Sequence, residues 1–339
     1  MKRVSEMPDG GVDVALETPG TDSILSGQAV LRFGHRAMAT LFEVLCVHED
    51  QTYALQAANQ AFDLLDKLEG ALSRFVENSD IGRINDLPPG GTAKVSRWTM
   101  ECLLLARWAI EETSGAFDIS LGTGLRSLEL QPRDYTVRVH DSPVHLDLGG
   151  IGKGYAVDRM ADALAHWGID HALIHGGCSS VRALDPPAGV PGWPLGIAVP
   201  GQQVQCANGY SASQCVLSAS GTQKGNHIVD PRTSKPIALR PGAWVIARIA
   251  DLRPIFRELG DIGGCGDPVS ESPSAVAEIF STAFLILSLE EVEACGARRP
   301  TLETWLAEPV DHHSSGRCSL VHLTQTQKGR SNSGGTICN

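Results

Sequence analysis

The sequence predicts an α+β fold with mixed or antiparallel sheets flanked by helices. Two observations carry this: long stretches with helical apolar spacing, and short β-branched runs separated by Gly/Pro turns of the kind that close hairpins. At 339 residues the chain is long enough to bury a substantial core as one large domain or two lobes. Taken in order, TLFEVLCV at 40–47 reads as a strand, and 53–75 as a long helix with Leu55, Ala58, Phe62, Leu65 and Leu68 on one face. A second helix over 98–114 stops at Ser114-Gly115. Val144, Leu146 and Leu148 alternate as a strand does, while Tyr155, Ala156, Met160, Ala163 and Leu164 recur at helical spacing as far as Gly168. Strands follow at 171–175, 180–184 and 195–199, and a third long helix at 275–292. Residues 1–28 and 323–339 are polar and of low complexity, and are expected to be mobile.

The formal net charge is −11, and the Lys and Arg residues form no long basic run, which argues against nucleic acid or an anionic membrane as partner. No apolar stretch approaches the length of a membrane span and the first residues lack an apolar signal core, so a cytoplasmic setting is expected. Nine cysteines, an odd number without a CxxC pair or regular spacing, argue against a disulfide framework or a cysteine-rich zinc site.

Three stretches have the residue types that chemistry needs. In HLDLGGIGKGYAVDRMADAL, 145–164, Gly149, Gly150, Gly152 and Gly154 sit on a strand-to-helix turn where free N–H groups favour an anion. The dinucleotide fingerprint fails there because Tyr155 stands where its third glycine would be; the P-loop fails because Lys153 is followed by Gly154. On the residues alone this is either a ligand loop or a tight turn with a solvated lysine. Glu278 and Thr282, four apart, share one face of the third helix with Ser281 beside them. Two hard oxygens suit Mg²⁺; the alternative is that Glu278 faces water and Thr282 bonds back to its own helix. The segment NHIVDPRTSKP, 226–236, brings His227, Asp230, Arg232 and Thr233 around a proline turn, as a general base would need or as a structural turn would. HGGCSS at 175–180 offers Cys178 beside His175 as a thiol nucleophile, against the plainer reading of a small residue after a Gly turn.

Taken in order, these pieces resemble one family, the FAD:protein FMN transferases of ApbE type. The resemblance runs from about 33 to 292 through MAT (38–40), LSRFVENSDIGRIN (72–85), TSGAFDIS (113–120), LDLGGIGKGYAVD (146–158), GG (176–177) with VRAL (181–184), SGTQKGNHIVDPRT (220–233) and AEIFSTAFLIL (277–287). It implies a two-lobed domain over 29–322 with the flavin site in the cleft. The implied activity is Mg²⁺-dependent transfer of FMN from FAD to a Ser or Thr of a partner flavoprotein, releasing AMP. The implied FAD contacts are Met38, Phe75, Ala116, Phe117, Asp118, Asp147, Lys153 and Ile228. The metal would be held by Glu278, Thr282 and the carbonyl of Gly150, with His227, or else Asp230, taking the proton of the acceptor hydroxyl.

The chain departs from the family pattern at four places. Glu278 stands where Asp is typical, Phe75 where an aromatic hydroxyl is common, and Ser234 where Gly is usual; GGCSS lacks the acidic or amide residue often found after the glycines. Two alternatives therefore stand beside transfer: hydrolysis of FAD to FMN and AMP, and binding of FAD without catalysis.

Overall fold

The structure is a computed structural model that describes residues 14–15, 24–25, 28–140, 143–177, 179–197, 210–222, 228–237, 240–263, 269–309 and 318–323. Its main sheet has eight strands: β1 Leu31–Ala37, β2 Thr40–Cys46, β3 Ala172–Gly176, β4 Ser180–Ala183, β5 Cys215–Gly221, β6 Gly242–Arg248, β7 Glu303–Pro309 and β8 Cys318–Leu323. They lie side by side in chain order, and every neighbouring pair is antiparallel. The sheet is thus a meander into which helices are inserted. α1 Gln51–Leu72, α2 Asp80–Asn85, α3 Arg97–Glu112 and α4 Gly152–His166 all fall between β2 and β3; α5 Ile249–Gly263, α6 Pro273–Ile286 and α7 Leu289–Arg298 fall between β6 and β7.

Alternation along the strands explains the layering. On β6, Ala243, Val245 and Ala247 face the main core under the helices, while Trp244 and Ile246 face a second, smaller core on the far side. α1, α4 and α6 cover the first face, with α3 packed across α1 and α6. On the far face Trp244 meets Trp193, Leu195 and Ala212 of a small sheet formed by Trp193–Ile197 and Tyr210–Ala212. Burying a side chain of this size is worth roughly 2–3 kcal/mol, so Trp193 and Trp244, each no more than 1 % exposed, anchor that second core. Another small sheet, of Thr92–Lys94, Thr136–Val139 and Leu128–Gln131, stands beside α2 and α3.

Three expectations need correction. The run 144–148 is not a strand: Val144, Leu146 and Leu148 are buried in alternation, but the backbone bonds elsewhere. Leu146 N–H donates to Asn85 Oδ1 (2.7 Å), its carbonyl accepts from Asn85 Nδ2 (3.1 Å), and Asp147 N–H donates to the Ile119 carbonyl (2.8 Å). Side chain and loop replace a ladder, so alternation alone misled. The helix expected over 275–292 is two helices, broken where Leu287 turns extended and Ser288 opens α7 with a capping box to Glu291. On α1 the buried face is Ala54, Ala57, Ala58, Ala61, Phe62, Leu65, Leu68 and Leu72, and Leu55 is exposed. Within 1–28, Val14–Ala15 pairs with Trp193–Ile197 and Ile24–Leu25 pairs with Gln28–Ala29. The rest of that segment and residues 324–339 lie outside the described residues.

His175 pairs with a carboxylate. Its Nε2 lies 3.1 Å from Glu43 Oε2 across β2–β3, while Cys178 lies outside the described residues. Glu43 also accepts from Arg32 Nε (2.6 Å) and Nη2 (2.8 Å). Burial alone would raise this carboxyl, but the His175 and Arg32 contacts outweigh it and hold the pKa at about 2, below the ordinary 4.5. A carboxylate depressed on folding adds stability that is complete above its unfolded pKa and is lost as pH falls toward the folded value. The stability gap between the wild-type chain and Glu43→Gln should therefore shrink as pH falls from about 5 to 3. Urea unfolding at stepped pH checks this, and a gap constant over that window contradicts it.

Candidate active site

The site is built where α4 crosses α6. Four glycines lead into α4, and one is dictated by the crossing: a Cβ on Gly154 would lie 2.5 Å from the Ser274 carbonyl oxygen and 2.8 Å from the Ala275 Cα. Only hydrogen fits between the two backbones. The close approach lets Gly154 N–H donate to Glu278 Oε2 at 2.6 Å, while Lys153 Nζ, one residue earlier, donates to Glu278 Oε1. Glu278 is 2 % exposed, so a solvated carboxylate on the outer face of the helix is ruled out. A buried carboxylate without such partners would be costly, and here one cation and one N–H supply them.

Thr282, one turn further on, does not bond back to its own helix. Its Oγ1 lies 3.1 Å from Ser220 Oγ on β5. Ser281 does bond back, to the Glu278 carbonyl (3.1 Å), and also reaches Ser218 Oγ (3.2 Å) and Ser220 Oγ (2.9 Å). A ladder of four hydroxyls thus joins α6 to β5. Gly150 closes the group: a Cβ built there would lie 3.5 Å from Thr282 Cγ2 and 3.0 Å from Phe117 Cε2. Gly150, Lys153, Glu278, Thr282 and Phe117 are therefore neighbours in space.

What holds α6 was not legible in advance. Ser272, at its N-cap position, makes no side-chain capping bond. Asp158 of α4 takes that place, accepting from Ser274 N–H (2.9 Å) and Ala275 N–H (3.1 Å) and from Arg182 Nη1 on β4 (2.8 Å). Burial pushes the Asp158 carboxyl up, while Arg182 and Arg159 pull it back. At the other end Arg240, 2 % exposed, donates to the carbonyls of Phe284 and Leu287 and pairs with Glu308 at 2.8 Å.

The rim carries the remaining expected residues. Asp147 accepts from Gly149 N–H (2.9 Å) and from Arg74 Nε (2.7 Å), and the Arg74 guanidinium lies 4.0 Å over the Phe75 ring. Phe75 is 79 % exposed, a free aromatic face beside the glycine loop. Ala116 and Phe117 are buried, and Asp118 folds its own loop by accepting from Ser120 N–H (2.8 Å) and Ser120 Oγ (2.7 Å). That loop rests on the 230–234 turn, for a Cβ on Gly122 would meet the Pro231 carbonyl at 2.8 Å. Both oxygens of Asp230 are taken by Arg232, which also reaches Glu291 on α7 at 2.7 Å. Ile228 is half-buried against the main core. Met38 and Ala39, at φ 49° and 57°, form the two-residue β1–β2 turn, a left-handed conformation unusual for side-chain-bearing residues. His227 lies outside the described residues.

Sequence reading missed Arg74, Asp158, Ser218, Ser220 and Arg240. Asp158 ends the glycine motif, Arg74 stands next to Phe75 and Ser220 opens SGTQKGNH, so proximity to a motif was the available signal for three of them.

Comparison with known proteins identifies the family. The ApbE family model matches residues 38–129 and 121–251, and the chain belongs to the ApbE family. Among curated relatives, the FAD:protein FMN transferase of Salmonella typhimurium is 25 % identical over 268 residues, covering 65 % of this chain and 74 % of the relative. That of Klebsiella pneumoniae is 24 % identical over 218 residues, covering 53 % and 66 %. Among solved structures, the apo form of the Pseudomonas stutzeri flavinyl transferase ApbE superposes with a TM-score of 0.69 at 21 % identity over 88 % of this chain and 95 % of its own. The flavin transferase ApbE of Vibrio cholerae gives 0.68 at 18 % identity over 87 % and 97 %. These structures share the α+β fold of this chain.

The α4–α6 crossing makes a direct prediction. Gly154→Ala should lower stability by about 1–3 kcal/mol or more, because the added methyl meets backbone that cannot swing aside. Denaturant unfolding measures it, and an unchanged midpoint would show that the helices do not approach so closely.

Proposed function

We propose that this chain transfers the FMN moiety of FAD to a Ser or Thr hydroxyl of an acceptor flavoprotein, with Mg²⁺ as cofactor and AMP as the second product. The observation that carries the proposal is the convergence of Lys153, Glu278, Thr282 and the Gly150 backbone at one helix crossing. Family membership and the names of the relatives support it.

The donor set fits a hard cation. Among the described residues no three His, Cys, Asp or Glu side chains converge, so a metal here would rely on one carboxylate, a hydroxyl and carbonyl oxygens, completed by substrate phosphate. Mg²⁺ is commonly held in this way. Glu278, Thr282 and the Gly150 carbonyl would hold it. When bound it would neutralise charge growing on the diphosphate.

The chain's own residues do the rest. Lys153 supplies a positive charge where the oxygen that leaves with AMP becomes negative, which favours the transition state over the ground state. Phe75 offers its exposed ring to the flavin, with Arg74 and Asp147 fixing the loop beneath it. The acceptor oxygen forms a bond to the FMN-side phosphorus as the anhydride bond to AMP breaks, and the hydroxyl proton passes to His227. Asp230, with both oxygens on Arg232, holds the turn after His227 rather than taking the proton.

Incubation with FAD, Mg²⁺ and an acceptor domain that a proven family transferase labels should give flavin-bearing acceptor by mass spectrometry and an equal amount of AMP. AMP without labelled acceptor would replace transfer by hydrolysis, and intact FAD in all samples would overturn both. Glu278→Gln should lower the rate of AMP formation by about a hundredfold or more, the scale on which removing one electrostatic partner of a transition state acts. An unchanged rate would remove Glu278 from the site.

A further inference from the structure

We propose that Lys153 is an internal counter-cation that keeps the Glu278 site closed to a divalent metal until FAD arrives, so that metal and FAD enter together and neither binds well alone. The inference rests on the function proposed above and adds an order to it.

Glu278 spends both oxygens within the protein, Oε1 on Lys153 Nζ and Oε2 on Gly154 N–H. The carboxylate side chain is 3 % exposed and the lysine side chain 26 %, so the ammonium stands at the mouth of the buried site with Glu278 behind it. Lys153 Nζ also lies 3.4 Å from the Gly149 carbonyl. The ammonium thus occupies the approach a cation would take to the carboxylate.

Charge balance decides the order. The Lys153–Glu278 pair is neutral as it stands. A divalent cation alone would add two positive charges and must displace the ammonium from a buried partner. The FAD diphosphate alone would add two negative charges beside Glu278, whose carboxylate keeps the ammonium from it. Together the two ligands restore neutrality: the ammonium turns to the diphosphate and leaves Glu278 to the metal. In a water-poor site such mismatches are costly, and the two ligands are therefore coupled. Linkage requires the coupling to be mutual, each ligand tightening the other by one factor.

The test uses the flavin-free full chain and measures binding rather than turnover: FAD by titration calorimetry in EDTA or Mg²⁺, and Mn²⁺ by electron paramagnetic resonance without FAD. In the wild type, Mg²⁺ should tighten FAD by about tenfold or more, within the usual range for coupled sites. Glu278→Gln releases the ammonium, so its FAD affinity in EDTA should rise by about tenfold over wild type although a proposed metal ligand has been removed. Lys153→Met leaves the carboxylate uncompensated, so it should bind Mn²⁺ alone about tenfold more tightly than wild type. Should Lys153→Met fail to fold, the Glu278→Gln comparison decides by itself. FAD binding in EDTA no tighter in Glu278→Gln than in wild type overturns the inference and leaves the proposed function standing. A wild-type chain that does not bind FAD even with Mg²⁺ overturns both.

Discussion

Buried charge holds α6 at both ends, and the arrangement of the site depends on it. A helix leaves N–H groups unpaired at its start and carbonyls at its end, with partial positive and negative charge to match. On α6 neither end is satisfied by its own side chains. Asp158, fully buried on α4, caps the start, and Arg240, nearly as buried, caps the end. Because Asp158 lies one turn beyond Gly154, one face of α4 fixes the start of α6 and reaches Glu278 one turn along it. The serine ladder from β5 then sets the rotation of α6 about its axis, since Ser218 and Ser220 meet Ser281 and Thr282 in one direction only. Glu278 and Thr282 are thus placed by contacts to α4, to β5 and to Arg240 just before β6.

This construction explains how the site can sit on a plain antiparallel meander. The strands follow one another in chain order and supply a floor, while the residues assigned to chemistry come from what is inserted between them. The long insertion between β2 and β3 supplies the Arg74–Phe75 pair, the 113–124 loop, the glycine loop and α4. The second insertion, between β6 and β7, supplies α6. At Gly154 the two insertions touch backbone to backbone, and that position admits no side chain.

Much of this was legible in the sequence where the signal is local. The glycine loop, the shared face of Glu278 and Thr282, and the hairpins implied by short strands with Gly/Pro turns all followed from spacing; that the strands run as one meander did not. The family resemblance supplied what spacing left open, namely that loop and helix meet. What was not legible depends on distant partners. Nothing near Asp158 shows that it caps a helix 116 residues away, and nothing near Arg240 points to Phe284. Alternation at 144–148 suggested a strand because burial alternates there, but Asn85 rather than a neighbouring strand takes the backbone of Leu146. The break after Ile286 was legible and passed over: Ser288 followed three residues later by Glu291 is a capping box inside an apolar run.

The central claim is that the metal-dependent chemistry takes place at the α4–α6 crossing. Anomalous diffraction from crystals grown with FAD and Mn²⁺ tests it most directly. A single peak in contact with both the Glu278 carboxylate and the Thr282 hydroxyl, with Lys153 turned from Glu278 to the diphosphate, is the predicted result. A peak elsewhere, or bound FAD with the Lys153–Glu278 pair intact, would contradict the account.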